Sequence, residues 1–204
     1  MFKLIYEELR HHSKFTVFGA ITGIILMMFS NKLPSESAFE IFYILHPAHV
    51  LLSAMATASM FRLHRNRRIH GRYNFFILFI IGYSGSIGIA TISDSIIPYL
   101  GEIMLNLPDR GIHLGFIEKW WLVNPLAFLG IIFACFRPQT KFPHYGHVLL
   151  STWASLFHIV MAAGGELNII SFPFVFIFLF IAVWLPCCGS DIVFPLLFVN
   201  SSED

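Results

Sequence analysis

Six long apolar runs, separated by short polar connections, set the pattern of this chain. They cover about Phe15 to Ser30, Ala38 to Phe61, Asn74 to Leu105, Trp120 to Phe136, Phe142 to Gly164 and Ile169 to Val199. A helix needs roughly 20 apolar residues to cross the hydrocarbon core of a bilayer. The runs therefore predict an all-α polytopic membrane protein with six transmembrane helices, the short first span helped by snorkelling side chains at its ends. Residues 1–14 mix Phe2, Leu4, Ile5 and Leu9 with Lys3, Glu7, Glu8, Arg10 and Lys14, and read as an interfacial segment. The third and sixth runs overshoot one perpendicular span yet fall short of two. Each is expected to tilt or kink and to fold its last part back towards the membrane, with Pro98 or Pro195 freeing backbone carbonyls.

Composition agrees with a membrane class. The chain of 204 residues is 56% apolar and only 12% charged, against about a quarter charged in an ordinary soluble domain. Its net charge of +1 gives no reason to expect nucleic acid as a partner; the expected partner is the lipid bilayer. Arg62, Arg65, Arg67, Arg68 and Arg72 crowd the connection after the second run, and such clusters stay in the cytoplasm. That anchor puts the N- and C-termini inside, with Arg137 and Lys141. Glu36, Glu40, Glu102, Asp109, Glu118 and Glu166 then fall at or beyond the outer boundary, where Lys32, Arg110 and Lys119 are the basic residues. A bacterial or archaeal plasma membrane is the expected location, and a homodimer a possible assembly.

The runs are not independent of one another. His46-Pro47-Ala48-His49-Val50-Leu51-Leu52-Ser53 is echoed by His144-Tyr145-Gly146-His147-Val148-Leu149-Leu150-Ser151, and Ser93-Asp94 followed by Pro98 is echoed by Ser190-Asp191 followed by Pro195. Two signals in the same order indicate an internal duplication. Residues 15–105 form one repeat and 120–199 the other, joined by an extracytoplasmic loop at 106–119, with a tail at 200–204. Three spans per repeat make the second copy enter the membrane upside down, which predicts an inverted 3+3 architecture.

The candidate chemistry lies in the repeated motif. On a helix, His46, His49, Ser53 and Thr57 share one stripe, as do His144, His147, Ser151, Ser155 and His158. Two imidazoles one turn apart, with a carboxylate from a neighbouring helix, suit a divalent metal ion such as zinc. The topology predicts an outer set of His46, His49, Asp94 and His158, with His113 near it, and an inner set of His144, His147 and Asp191. The competing reading of the histidines is a hydrogen-bonded network. For the hydroxyls it is close helix packing, for the aspartates a helix cap, and for Cys187 and Cys188 buried or lipid-facing thiols.

Three functions follow. Duplicated, inverted polar sites suit a transporter of a divalent metal ion or another small ion. A single zinc site activating water suits a membrane hydrolase acting on a lipid amide or ester. The histidine and aspartate constellation is loosely similar to that of the alkaline ceramidase and adiponectin-receptor superfamily, which implies that activity. That family has seven spans and different spacing, so none of its residues is carried over. A third possibility is a di-haem electron carrier, with His49, His64, His144 or His147, and His158 as axial ligands. Signatures of serine hydrolases, phosphate loops, zinc proteases and dinucleotide sites are absent from the sequence.

Overall fold

The computed structural model describes the backbone of residues 2–68, 75–165, 167–189 and 194–195, and their side chains apart from those of 2–12, 64–68, 141 and 188. Among the described residues, eight α-helices follow in order: α1 Phe2–Ser30, α2 Ser35–Arg68, α3 Phe75–Thr91, α4 Ile97–Met104, α5 Gly115–Glu118, α6 Trp120–Phe136, α7 Lys141–Ala163 and α8 Phe172–Cys188. A π turn, Ile92–Ile96, joins α3 to α4, and a 3-10 turn, Ile169–Ser171, leads into α8. The described residues form no strand. Among the described residues, five stretches are long and apolar enough to cross a membrane: Ser13–Ser30, Ser35–Leu63, Phe75–Met104, Phe142–Ala163 and Ile169–Cys187; Trp120–Phe136 is apolar but shorter.

The distribution of side chains is that of a membrane protein. Phe18, Ile21, Ile25, Met28 and Phe29 of α1 and Phe174, Ile177 and Leu185 of α8 are exposed, while His46, His49, Ser53, Asp94, Glu102, His147, Ser151 and His158 are buried. In water this order would cost the apolar surface. In lipid it puts hydrocarbon outside and satisfies polar groups against one another.

Helices α2 and α7 form the centre and make the most extensive helix contact. Ser35 bonds the Met161 carbonyl, Phe42 meets His158 edge-on, His49 stacks on His147, and Leu52 lies against Gly146. Partner numbers fall along α7 as they rise along α2, so the two helices are antiparallel. Small residues permit the close approaches. Gly19 of α1 faces Thr152, and Gly82 of α3 faces Ile131 and Ala58. At Gly130 a side chain would collide with the Leu51 carbonyl of α2. Arg62 reaches from α2 to the Ala134 and Cys135 carbonyls at the end of α6, satisfying acceptors that the helix terminus leaves open.

The third run does not fold back. Phe75 to Met104 is one helical passage, and Pro98 sits in the first turn of α4. The strain that a proline brings is absorbed by the π turn just before it, so no re-entrant segment is required. The N-terminal segment likewise continues into the first span as one helix. The expected shape of the sixth run beyond residue 189, with Ser190 and Asp191, lies outside the described residues.

The packing at Gly130 gives a direct test. Gly130→Ala is expected to destabilise the protein by about 1–3 kcal/mol, because backbone rather than a flexible side chain must yield. Gly88→Ala, with open space around it, should be neutral or slightly stabilising. Thermal unfolding in detergent distinguishes the two.

Candidate metal centre

Asp94 lies in the π turn, and the turn makes its surroundings. The Ile97 N–H donates to Ile92 O, one residue further back than in an α-helix, and Pro98 has no N–H to give. The Ser93 carbonyl is thereby released from the helical ladder and accepts a hydrogen bond of 2.9 Å from Ser155 Oγ on α7. The carboxylate beside it is fully buried. Asp94 Oδ2 accepts from His46 Nδ1 at 2.9 Å and from His49 Nδ1 at 2.7 Å. Oδ1 accepts from Ser93 Oγ and Ser151 Oγ, both at 2.7 Å. Asp94 is therefore no helix cap. It is a hub that accepts from four donors and joins the α3–α4 passage to α2 and α7.

An ionised carboxylate only accepts, so each imidazole gives it an Nδ1–H and keeps its lone pair on Nε2. A carboxylate holding a histidine in this tautomer is the usual backing of a metal ligand. His46 Nε2 lies against Gly115, where a Cβ would come within 2.5 Å of it. His49 Nε2 is fully buried with no hydrogen-bond partner among the described residues, as is Ser53 Oγ.

His49 is also where the two motif copies meet. Its ring stacks on His147 of α7 at 5.6 Å and 11°. One ligand atom each from His49, His147 and Cys187 lie within 4.8 Å of one another, and the same holds for His46, His49 and Asp94. All five residues are buried, and either group could hold a metal ion. His144, half-buried, continues the line, its ring 5.4 Å from that of His147.

A second polar cluster leads from this centre to the surface. His158 Nδ1 donates to Glu102 Oε1 at 2.5 Å, and both residues are fully buried. Ser95 Oγ lies 3.4 Å from His158 Nε2 and accepts the His113 N–H at 3.0 Å. Phe42 separates this cluster from the centre, stacked on His46 at 5.2 Å with its edge to His158 at 5.4 Å. His113 bonds Glu118 at 3.1 Å, and Tyr43 donates to the same carboxylate at 2.5 Å. His113 borders an open cleft of about 540 Å³ that also presents Glu36, Glu40, Asp109 and Lys119. Three carboxylates against one ammonium make this cleft attractive to cations.

Burial pushes the Glu118 carboxyl up, but hydrogen bonds from Tyr43 and His113, the charge of His113 and the Leu114 N–H outweigh it and hold it below its ordinary 4.5. Its contribution to stability is therefore full above pH 4.5 and is lost as pH falls through the lower value of the folded state. Over that acid range the native protein is expected to lose more thermal stability than Glu118→Gln.

Of the expected site residues, His46, His49 and Asp94 come together. His158 does not join them: Glu102 and Ser95 take its two ring nitrogens. His147 does not belong to a separate inner site, because its ring rests on His49. His144 stands next to His147, and Asp191 lies outside the described residues. Glu102, expected at the outer boundary, is buried on the helical passage that carries Asp94. Cys187, expected as a buried or lipid-facing thiol, is buried and lies beside two histidines. The arrangement is compatible with a metal-binding membrane protein. No family model, curated protein or solved structure matches this chain.

Proposed function

We propose that this protein is a membrane carrier of a divalent metal ion, built as an inverted 3+3 repeat whose two halves share one buried binding centre. The observation that carries the reading is the stacking of His49 on His147. These are equivalent histidines of the two motif copies, on antiparallel helices, and contact between equivalent residues is what a two-fold axis in the membrane plane produces. Carriers of this architecture bind their cargo near such an axis, where rocking of one half against the other exposes the site alternately to each side. The acidic cleft beside His113 gives a cation an approach from one end, and His144 lies at the other.

The chain's own residues divide the work. Asp94 orients His46 and His49, Ser93 and Ser151 hold Asp94, and the π turn keeps the carboxylate against α2 and α7. A bound divalent ion would take imidazole nitrogens, with the Asp94 charge offsetting its own. A hydrolase needs one metal set and leaves the second motif copy without a role, whereas a carrier uses both copies.

Purified protein in liposomes loaded with a zinc-sensitive dye tests the proposal. Zn2+ added outside should reach the dye at a rate proportional to protein, and elemental analysis of the detergent-purified protein should find bound metal. Folded protein that neither binds nor moves the ion overturns it. Release of fatty acid from a lipid amide or ester without ion movement would replace it with the hydrolase reading, and a Soret band with the haem reading.

A further inference from the structure

We propose that His49, His147 and Cys187 form a thiolate-containing site that restricts the cargo to thiophilic divalent ions such as Zn2+ and Cd2+. The inference rests on the carrier reading and adds to it the class of metal.

Geometry supplies the first argument. With His49 Nδ1 committed to Asp94 at 2.7 Å, the other ring nitrogen has to serve any ligand, and that atom is the buried Nε2 without a hydrogen-bond partner among the described residues. Leaving such an atom unsatisfied is unfavourable, because its desolvation is not repaid. A ligand bound there would satisfy it, and Ser53 Oγ, one turn further along α2, is likewise buried without a partner among the described residues. The three candidate ligand atoms lie within 4.8 Å of one another. A tetrahedral zinc site places nitrogen and sulfur donors about 3.3–3.6 Å apart, so a small contraction of α8 towards α2 and α7 closes the set.

Chemistry supplies the second. Mg2+, Ca2+ and Mn2+ favour oxygen ligands, whereas imidazole and thiolate favour zinc and its heavier neighbour. Asp94, the carboxylate bonded to His49, already accepts four hydrogen bonds, and to ligate directly it would have to give up at least one. Around Cys187 the packing is apolar, from Val148, Ala182 and Val183. An ion seated there would meet two nitrogens and a sulfur, the donor set that thiophilic ions favour.

The test is cadmium titration of detergent-solubilised full-length protein, followed by the ultraviolet charge-transfer band of a cadmium–thiolate bond. The band is expected in the native protein, in Cys135→Ser and in Cys188→Ser, and is expected to vanish in Cys187→Ser. Because a hydroxyl in an apolar cluster could disturb folding, Cys187→Ala serves as the second variant, with gel filtration and helical circular dichroism required to match the native protein. In liposomes the ratio of Zn2+ to Mn2+ uptake should fall by about 10-fold or more in both variants, the lower end of what loss of a supporting group at a metal site costs. A band that survives in Cys187→Ala, or an unchanged uptake ratio, overturns the inference while leaving the carrier reading intact. A Cys187-dependent band in a native protein that moves no ion would sustain the site and overturn the carrier.

Discussion

Replacing His49 with leucine is expected to abolish metal binding and ion movement while leaving the fold about as stable as before. His49 is the one residue common to both ligand groups. Its loss should therefore exceed the roughly 10–100-fold penalty of losing a residue that only supports a ligand. The effect on stability is a balance of two opposing changes. Removing the imidazole deletes a hydrogen bond to a buried carboxylate, worth about 1.5–3 kcal/mol, and also removes a buried ring nitrogen without a partner, whose desolvation costs about 1–3 kcal/mol. Asp94 keeps His46, Ser93 and Ser151 as donors, and leucine nearly conserves volume, which avoids the penalty of a cavity. Melting in detergent beside metal uptake in liposomes separates these outcomes. A variant that still moves Zn2+ would dismiss the centre, and one that fails to fold would make His49 a structural residue.

His46→Ala should be milder. It belongs to one ligand group, and His49 with His147 and Cys187 remains in place. A partial loss of uptake is expected, with bound metal still detectable. Equal effects at His46 and His49 would mean that the two groups act as a single site.

The residues that could be read from the chain are those whose relation is local. His46 and His49 are a helical turn apart, so one face was certain, and the repeated Ser-Asp gave Asp94 its place beside them. What escaped depends on how far one helix slides along another. Whether His147 sits level with His49 or a full membrane half away is decided by the offset between α2 and α7, and that offset is set by contacts such as Ser35 with Met161 and Leu52 with Gly146. No local pattern encodes it, which is why two separate sets were expected, whereas His49 and His147 stack against each other.

Glu102 escaped for a different reason. On an uninterrupted α-helix its angular position relative to Asp94 is off the shared stripe, but a π turn winds fewer degrees per residue and brings Glu102 round to face α7. Pro98 signalled an irregularity in the right place, and its position four residues after Asp94 was the available clue. Such a proline admits a kink, a break or a π turn, and Ser155 on α7 decides among them by donating to the released Ser93 carbonyl. Cys187 could be read only as a buried or lipid-facing thiol, because the histidines within its reach lie on other helices. The five long apolar stretches needed no tertiary knowledge, since length and hydropathy alone decide them.

Removing the Asp94 carboxylate altogether is expected to have the largest effect on stability of any single change in the chain. In Asp94→Ala, His46 Nδ1, His49 Nδ1, Ser93 Oγ and Ser151 Oγ lose their common acceptor in a site closed to water. Truncating one side of a buried charged network costs about 3–5 kcal/mol, a large share of the 5–15 kcal/mol by which a typical domain is stable. Asp94→Asn separates charge from shape. Its amide oxygen can still accept from the serines, but its NH2 faces an imidazole N–H unless that ring changes tautomer. A changed tautomer turns the lone pair towards the amide and away from the metal. The asparagine variant should therefore fold, melt between the native protein and Asp94→Ala, and bind Zn2+ about 10–100-fold more weakly. Unfolding curves and zinc titrations on all three proteins, in one detergent, read both effects. Should Asp94→Asn bind zinc as tightly as the native chain, the carboxylate would be holding helices together without setting the histidines, and the centre would have to be assigned to His49, His147 and Cys187 alone.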